Sequence, residues 1–473
     1  MIIGGILVSI VFAWLLGNTV WRHVMGEADQ NIRLIDLPLS LGTGLAITSS
    51  ILFFWMILFN GDVQHYIKAE MIMVFALTLL KIKKKYKSSS ISSNIPSIDE
   101  PTDEEAKELK GTTKLFWAIF LLALVTLIMS SFMFPHGRWD AWSIWNMKAR
   151  FFIRGGLDWT RAFSESLGFT HPDYPLNLPM TVMRHWLYAF SETIAGPMST
   201  GILFSALIIL LLFRAVSLIR SFTAGLIATS VLLGTPYFLL ESVSQYADVP
   251  LAFYFLATLV LISMFFHFGN TRMLVMAGMS AGFAAWTKNE GMLYAVIVTV
   301  FLTAAIYRRR HNISMIAPLS RYFAGLLTGI MPVIVLKLFF ATPNDLMSGI
   351  AQSSINCLFD IENYQLIGNY MLQCALKFGD WREIAYGAYN PLPIMSFYSL
   401  YAGVELKKNE NWLMPAVIIG MLAGYFLVYV TSPFDILWHL NTSCTRLFLQ
   451  LWPSSIFAFF ILTAPADHWQ KEQ

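Results

Sequence analysis

Hydropathy along the chain rises and falls in long blocks. Windows of about 19 apolar residues, enough to cross a bilayer as a helix, fall near residues 2–20, 39–59, 64–81, 115–135, 197–214, 222–241, 248–267, 272–287, 291–307, 315–340, 391–405, 412–431 and 447–465. The pattern predicts an all-α polytopic membrane protein of about 13 transmembrane helices. The windows at 64–81 and 272–287 are short. No repeat of 20–50 residues stands out. The first residues, Met1-Ile2-Ile3-Gly4, lack a basic region and lead into a first membrane helix, not a cleaved signal.

Basic residues orient the helices. Lys81, Lys83, Lys84, Lys85 and Lys87 close the third window; Arg214 and Arg220 the fifth; Arg308, Arg309 and Arg310 the ninth; Lys407 and Lys408 the eleventh. The number of windows between successive clusters is even each time, so all four fall on one face. Lysine and arginine in short connections mark that face as cytoplasmic. Residues 88–114 are serine-rich and then acidic, with Asp99, Glu100, Asp103, Glu104 and Glu105. Such a tract buries too little apolar surface to order itself and is expected to be a cytoplasmic linker. It divides the chain into an N-terminal three-helix membrane segment (1–87), the linker (88–114), a central membrane module (115–307), and C-terminal helices with external loops (308–473).

Composition agrees with this class. The chain is 56% apolar and 13% charged, against about 25% charged in soluble domains. A formal charge of +3 is too small to suggest nucleic acid as a partner. Three cysteines, Cys357, Cys374 and Cys444, are too few for a metal cluster or a disulfide framework. Cys357 and Cys374 share one external segment and could pair in an oxidising compartment.

The face opposite the basic clusters carries the informative loops. In the loop near 136–196, Asp140 follows directly on a membrane helix, between Trp139 and Trp142 and ahead of Lys148 and Arg150. Tryptophan favours the headgroup region, and an ionisable group held at that depth is a functional candidate. Residues 146–153 alternate apolar and basic at helical spacing, which predicts an interfacial helix. The same loop holds Asp158-Trp159 and His171-Pro172-Asp173-Tyr174-Pro175. Other external loops present Asp248 in Tyr246-Ala247-Asp248-Val249-Pro250, then Lys288 and Glu290, and finally Asp435, Trp438, His439 and Arg446. Taken singly, each charge could cap a helix end, Lys288 could pair with Glu290, and His171 could be solvated. Together they set acids and cations at one depth.

One chemistry suits that arrangement. A lipid-linked sugar phosphate keeps its tail in the bilayer and offers its anomeric carbon at headgroup level. The acceptor hydroxyl needs a base, which Asp140 or Asp248 can supply. The departing phosphate needs neutralising more than protonating, by Lys288, Arg446 or a divalent cation held by carboxylates. Asp140 and Asp248 are therefore the expected catalytic residues. Lys148, His171, Asp173, Tyr174, Lys288, Glu290, His439 and Arg446 are the expected substrate-binding set; whether a divalent cation is held, and by which residues, stays open.

The order of these features resembles the GT-C superfamily of polytopic glycosyltransferases, in the branch of protein O-mannosyltransferases and lipid A aminoarabinose transferases. The resemblance spans roughly residues 115–300, through Asp140, Asp158-Trp159, His171 to Pro179 and Asp248, with a late element from Trp438 to Arg446. It implies an inverting glycosyltransferase that moves a sugar from a polyprenyl-phosphate-linked donor to a glycan, lipid or protein acceptor. The implied setting is a bacterial inner membrane with the active site on its external face. This chain departs from the pattern in two ways. Ala141 stands where a second acid often follows the first, which leaves bound metal open, and three helices precede the shared module. Two other classes fit less well. A polysaccharide ligase or polymerase would rely on His439 and Arg446 without an essential aspartate. A transporter or flippase would set ionisable residues at the midplane in paired repeats.

Overall fold

Inside hydrocarbon every backbone N–H and C=O needs an internal partner, so long apolar runs fold as helices or closed barrels. In the computed structural model they are helices. Residues 2–26, 35–86, 103–311, 314–343, 361–377 and 391–463 are described, with side chains except at 78–86 and 103–108. The helices are α1 (Ile2–Met25), α2 (Asp36–Leu58), α3 (Tyr66–Tyr86), α4 (Asp103–Met133), α5 (Asn146–Gly155), α6 (Asn177–Ala189), α7 (Ala195–Ile219), α8 (Phe222–Leu233) and α9 (Pro236–Ser244). Then follow α10 (Asp248–Phe268), α11 (Met273–Thr287), α12 (Asn289–Arg308), α13 (Ile316–Phe339), α14 (Ile361–Leu376), α15 (Leu392–Ala402), α16 (Leu413–Val430) and α17 (Ile436–Leu462). An isolated β-bridge pairs Val404 with Thr463.

Among the described residues nine helices are long and apolar enough to cross a membrane, or ten if one bent pair counts as a span. The protein is an integral, multi-pass membrane protein. The expected count was about thirteen, and the difference lies in particular windows. Window 222–241 is the bent pair, α8 and α9, which meet at 67°; Pro236 opens α9, where its missing N–H costs nothing. Window 272–287 is α11, of 15 residues, and window 391–405 is α15, of 11. Window 64–81 is α3, whose later side chains lie outside the described residues. The expected linker is partly helical, since α4 begins at Asp103, where a run of carboxylates favours a helix N-terminus. The rest of that linker, and Cys357, lie outside the described residues; Cys374 and Cys444 are buried.

The axis of the bundle is α10, in which every residue from Asp248 to Phe266 is buried. A helix apolar on all sides belongs in a core. Beside it, α11 and α13 approach as closely as backbones can. A Cβ on Gly278 would lie 2.0 Å from the Tyr322 carbonyl oxygen, and one on Gly325 would lie 1.9 Å from that of Val275. One turn on, Gly282 and Gly329 face each other in the same way. Small residues four apart on both helices make this a seam of the Gly-x-x-x-Gly kind.

Two polar ends result. At one, Arg220 lies 3.6 Å from Glu405 and Arg309 lies 3.3 Å from Glu410. Arg220 also donates to the carbonyls of Phe460 and Ile461. The basic groups after α7, α12 and α15 thus share one end, as the even counting required. At the other end α10, α12, α17 and the α4–α5 connection bring acids and cations together.

Candidate functional site

Asp248 opens α10, and its side chain is fully buried. A buried carboxylate needs charged or hydrogen-bonding partners, and neighbouring elements provide them. Lys288, between α11 and α12, places Nζ 2.9 Å from Asp248 Oδ1 and 2.8 Å from Glu290 Oε1. Burial opposes the lysine's charge, but Asp248 and then Glu290 outweigh it and hold the amine above its usual range. Gln450 of α17 donates to Asp248 Oδ1 at 2.6 Å and accepts from the Tyr425 hydroxyl at 2.8 Å.

Arg446, one turn earlier on α17, joins this buried group to Asp140. Its Nη1 pairs with Asp140 Oδ2 and stands 3.9 Å from Asp248 Oδ2. The guanidinium lies 5.2 Å from the Tyr246 ring centroid. Asp140 leads into a five-residue π-turn, Ala141–Trp145, and its backbone N–H donates to the Tyr246 hydroxyl at 3.2 Å. π-turns are uncommon and gather at functional sites. The Asp140 side chain is 21% exposed, whereas that of Asp248 is 0% exposed. Of the two carboxylates, only Asp140 can meet a partner arriving from solvent.

A second cluster sits on the other side of Lys288. Asn289 donates to Asp173 Oδ2 at 2.8 Å, and Lys337 of α13 donates to the Asp173 carbonyl at 2.6 Å. Lys148, on α5, donates to the His171 carbonyl and lies 5.5 Å from the Tyr174 ring centroid. His171 stacks on Tyr174 at 4.6 Å, with φ of +49°. Burial pushes the Tyr174 hydroxyl above its usual range, and Lys288, Glu290, Asp173 and Arg446 all act on it electrostatically. Tyr174 therefore stands between the two clusters.

The sequence-predicted residues divide accordingly. Asp140, Asp248, Lys288, Glu290 and Arg446 form one linked group, and Lys148, His171, Asp173 and Tyr174 form its neighbour. His439 is seven residues before Arg446 on α17; its Nδ1 meets Ser432 Oγ at 2.8 Å and its ring packs against Tyr429 and Phe434. Asp158 is on the periphery, paired with Arg161 at 3.2 Å, while Trp159 is buried. The α5 helix confirms the amphipathic segment expected at 146–153. Sequence reading missed Gln450, Asn289 and Lys337. Lys337 did carry a signal, an ionisable residue inside an apolar window.

Fold and site together define a polytopic membrane protein with a cluster of acids and cations at one end of its bundle. Residues 179–336 match the family described as dolichyl-phosphate-mannose-protein mannosyltransferase, a glycosyltransferase domain of the GT-C type. The matched segment runs from α6 to α13 and contains Asp248, Lys288 and Glu290. No curated protein and no solved structure matches the chain.

Proposed function

We propose that this membrane glycosyltransferase moves a sugar from a polyprenyl-phosphate-linked donor to a glycan, lipid or protein acceptor at the end of the bundle opposite the basic clusters. The observation that carries the reading is the chain Asp140–Arg446–Asp248–Lys288–Glu290, in which a partly exposed carboxylate and a buried one share a guanidinium. Asp140 is the general base. It takes the proton of the acceptor hydroxyl as that oxygen bonds to the anomeric carbon, and the carbon–oxygen bond to phosphate breaks with its electron pair leaving on the phosphate. Attack from the face opposite the phosphate inverts the anomeric centre. Asp248 is the buried counter-ion that holds Lys288 and Arg446 where the leaving phosphate gathers charge.

The residues fit a resident divalent cation poorly. Among the described residues no group of three His, Cys, Asp or Glu side chains is placed to hold one. Asp248 Oδ2 is buried without a hydrogen-bond partner, yet Arg446 and Lys288 flank that carboxylate and oppose a further positive charge. The neutralising work is assigned to those two side chains. The basic end is taken as cytoplasmic, which turns the site outward, in keeping with a bacterial inner membrane.

Deleting the protein from its host should make an unused polyprenyl-phosphate sugar accumulate, visible by thin-layer analysis of extracted lipids. An unchanged lipid-linked sugar profile would count against the donor class. In purified protein, chelators should leave transfer unaltered.

A further inference from the structure

The junction between α9 and α10 holds the Asp140 segment from both ends. Gln245 closes α9 in the left-handed conformation, with φ of +61° and ψ of +32°. A helix stop of that kind is ordinarily glycine or asparagine, which adopt it more readily. The glutamine side chain, by contrast, reaches across the segment. Its Nε2 donates to the Pro135 carbonyl at 3.1 Å, just after α4, and its Oε1 accepts from Asn146 Nδ2 at 2.8 Å, at the start of α5. Gln245 is buried, at 2% exposure. Its two neighbours grip the stretch between. The Ser244 carbonyl accepts from the Arg138 N–H at 3.1 Å, and the Tyr246 hydroxyl accepts from that of Asp140 at 3.2 Å. Gly137, at φ of +72°, lies so close that a Cβ there would be 2.5 Å from the Ser244 carbonyl oxygen.

We propose that Gln245 is a positioning residue for Asp140: it pins both ends of the 135–146 segment to the stretch that leads into Asp248, and so sets the two carboxylates in register. This rests on the reading of Asp140 as the base. Arg446 cannot set that register alone. A guanidinium presents several N–H donors, so a carboxylate can pair with it in more than one orientation, and the aim of the other oxygen falls to the backbone behind it. That backbone enters the π-turn Ala141–Trp145, an uncommon geometry that Gln245 spans from outside. A helix stop that merely packs would stabilise the fold without aiming Asp140, and the two roles are separable by experiment.

Full-length variants are expressed at matched levels in the deletion host, where the accumulated polyprenyl-phosphate sugar serves as donor. Initial clearance of that lipid, while it is in excess, reports kcat, and the level at which clearance slows reports KM. Gln245→Gly keeps the left-handed backbone and removes the side chain. It should lower kcat about ten- to a hundredfold, the scale of a reacting group misplaced by about 1 Å, and leave KM unchanged. In an Asp140→Asn background it should cost nothing further, because changes that act through one group do not add. For purified protein in nanodiscs, amide hydrogen exchange should quicken at 138–145 and not in α17. Should Gln245→Gly fail to fold, Gln245→Asn, which accepts the same backbone but is one methylene too short to reach both contacts, should show the same pattern more weakly. Losses that add to those of Asp140→Asn, a raised KM at full kcat, or unchanged exchange at 138–145 overturn the positioning role. Near-normal turnover by Asp140→Asn, or a deletion host that accumulates no such lipid, fails the reading on which the role rests, and exchange at 138–145 then still decides whether Gln245 holds the segment.

Discussion

Lys148 shows how much one buried amine reports about its surroundings. Burial lowers its pKa to about 7, with Asp173 favouring the charge and Lys337 opposing it. In the unfolded chain the amine titrates near about 10.4. Between these values the unfolded state holds the extra proton, so this group's contribution to stability rises as pH rises from about 7 to about 10.4 and is constant, at its least favourable, below about 7. Raising the pH from 6 to 8 should therefore hold or raise the melting temperature, and in Lys148→Met the slope attributable to this group should vanish. A wild-type slope retained by Lys148→Met would show that another group carries it. Lys148 was legible in the sequence because it follows Asp140 on an amphipathic stretch. That no described residue forms an ion pair with it was not, since that depends on where Asp173 and Lys337 fall in space.

At the scale of elements, the site is positioned by the seam between α11 and α13. The first of these helices ends beside Lys288 and the second carries Lys337, so the seam fixes one cluster relative to the other. Replacing Gly282, whose built Cβ would lie 2.6 Å from Gly329 backbone atoms, cannot be absorbed by a side-chain shift. Gly282→Val should cost about 1–3 kcal/mol as overpacking does, and should lower transfer even where the variant still folds. Melting and turnover unchanged from wild type would show that the seam does not position the site. Most helices were legible as apolar windows, including α10, whose all-round hydrophobicity gives a buried axis. Window hydropathy could not separate a full crossing from the 15-residue α11, nor foresee the bend at Pro236, because both depend on what packs around the helix. The N-terminal helices were visible too, but not their role. The structure ties them to the rest by a fully buried Arg184–Glu70 pair at 2.8 Å between α6 and α3. Ser49 of α2 likewise donates to Asn177 of α6 at 2.7 Å.

For the whole molecule, topology brings distant stretches to one end: Asp140, Asp248, Lys288 and Arg446 are spread over some two thirds of the chain. The order of short motifs made that convergence foreseeable, and all four residues lie in stretches read from the sequence as external loops, although Arg446 falls inside α17. Pairing was less so, because Arg446 sits inside a helix and only the packing of α17 on α10 turns it to both aspartates. The central claim is that Asp140 acts as the base while Asp248 holds the cations in place. It is tested by measuring turnover and donor affinity for Asp140→Asn and Asp248→Asn in the same nanodisc preparation. Asp140→Asn should lose about two to four orders of magnitude in turnover, the range for a positioned base, with donor affinity little changed. Asp248→Asn should weaken donor binding as well, since it leaves buried cations without their counter-ion. Near-normal turnover by Asp140→Asn would contradict the account and favour a ligase chemistry built on His439 and Arg446.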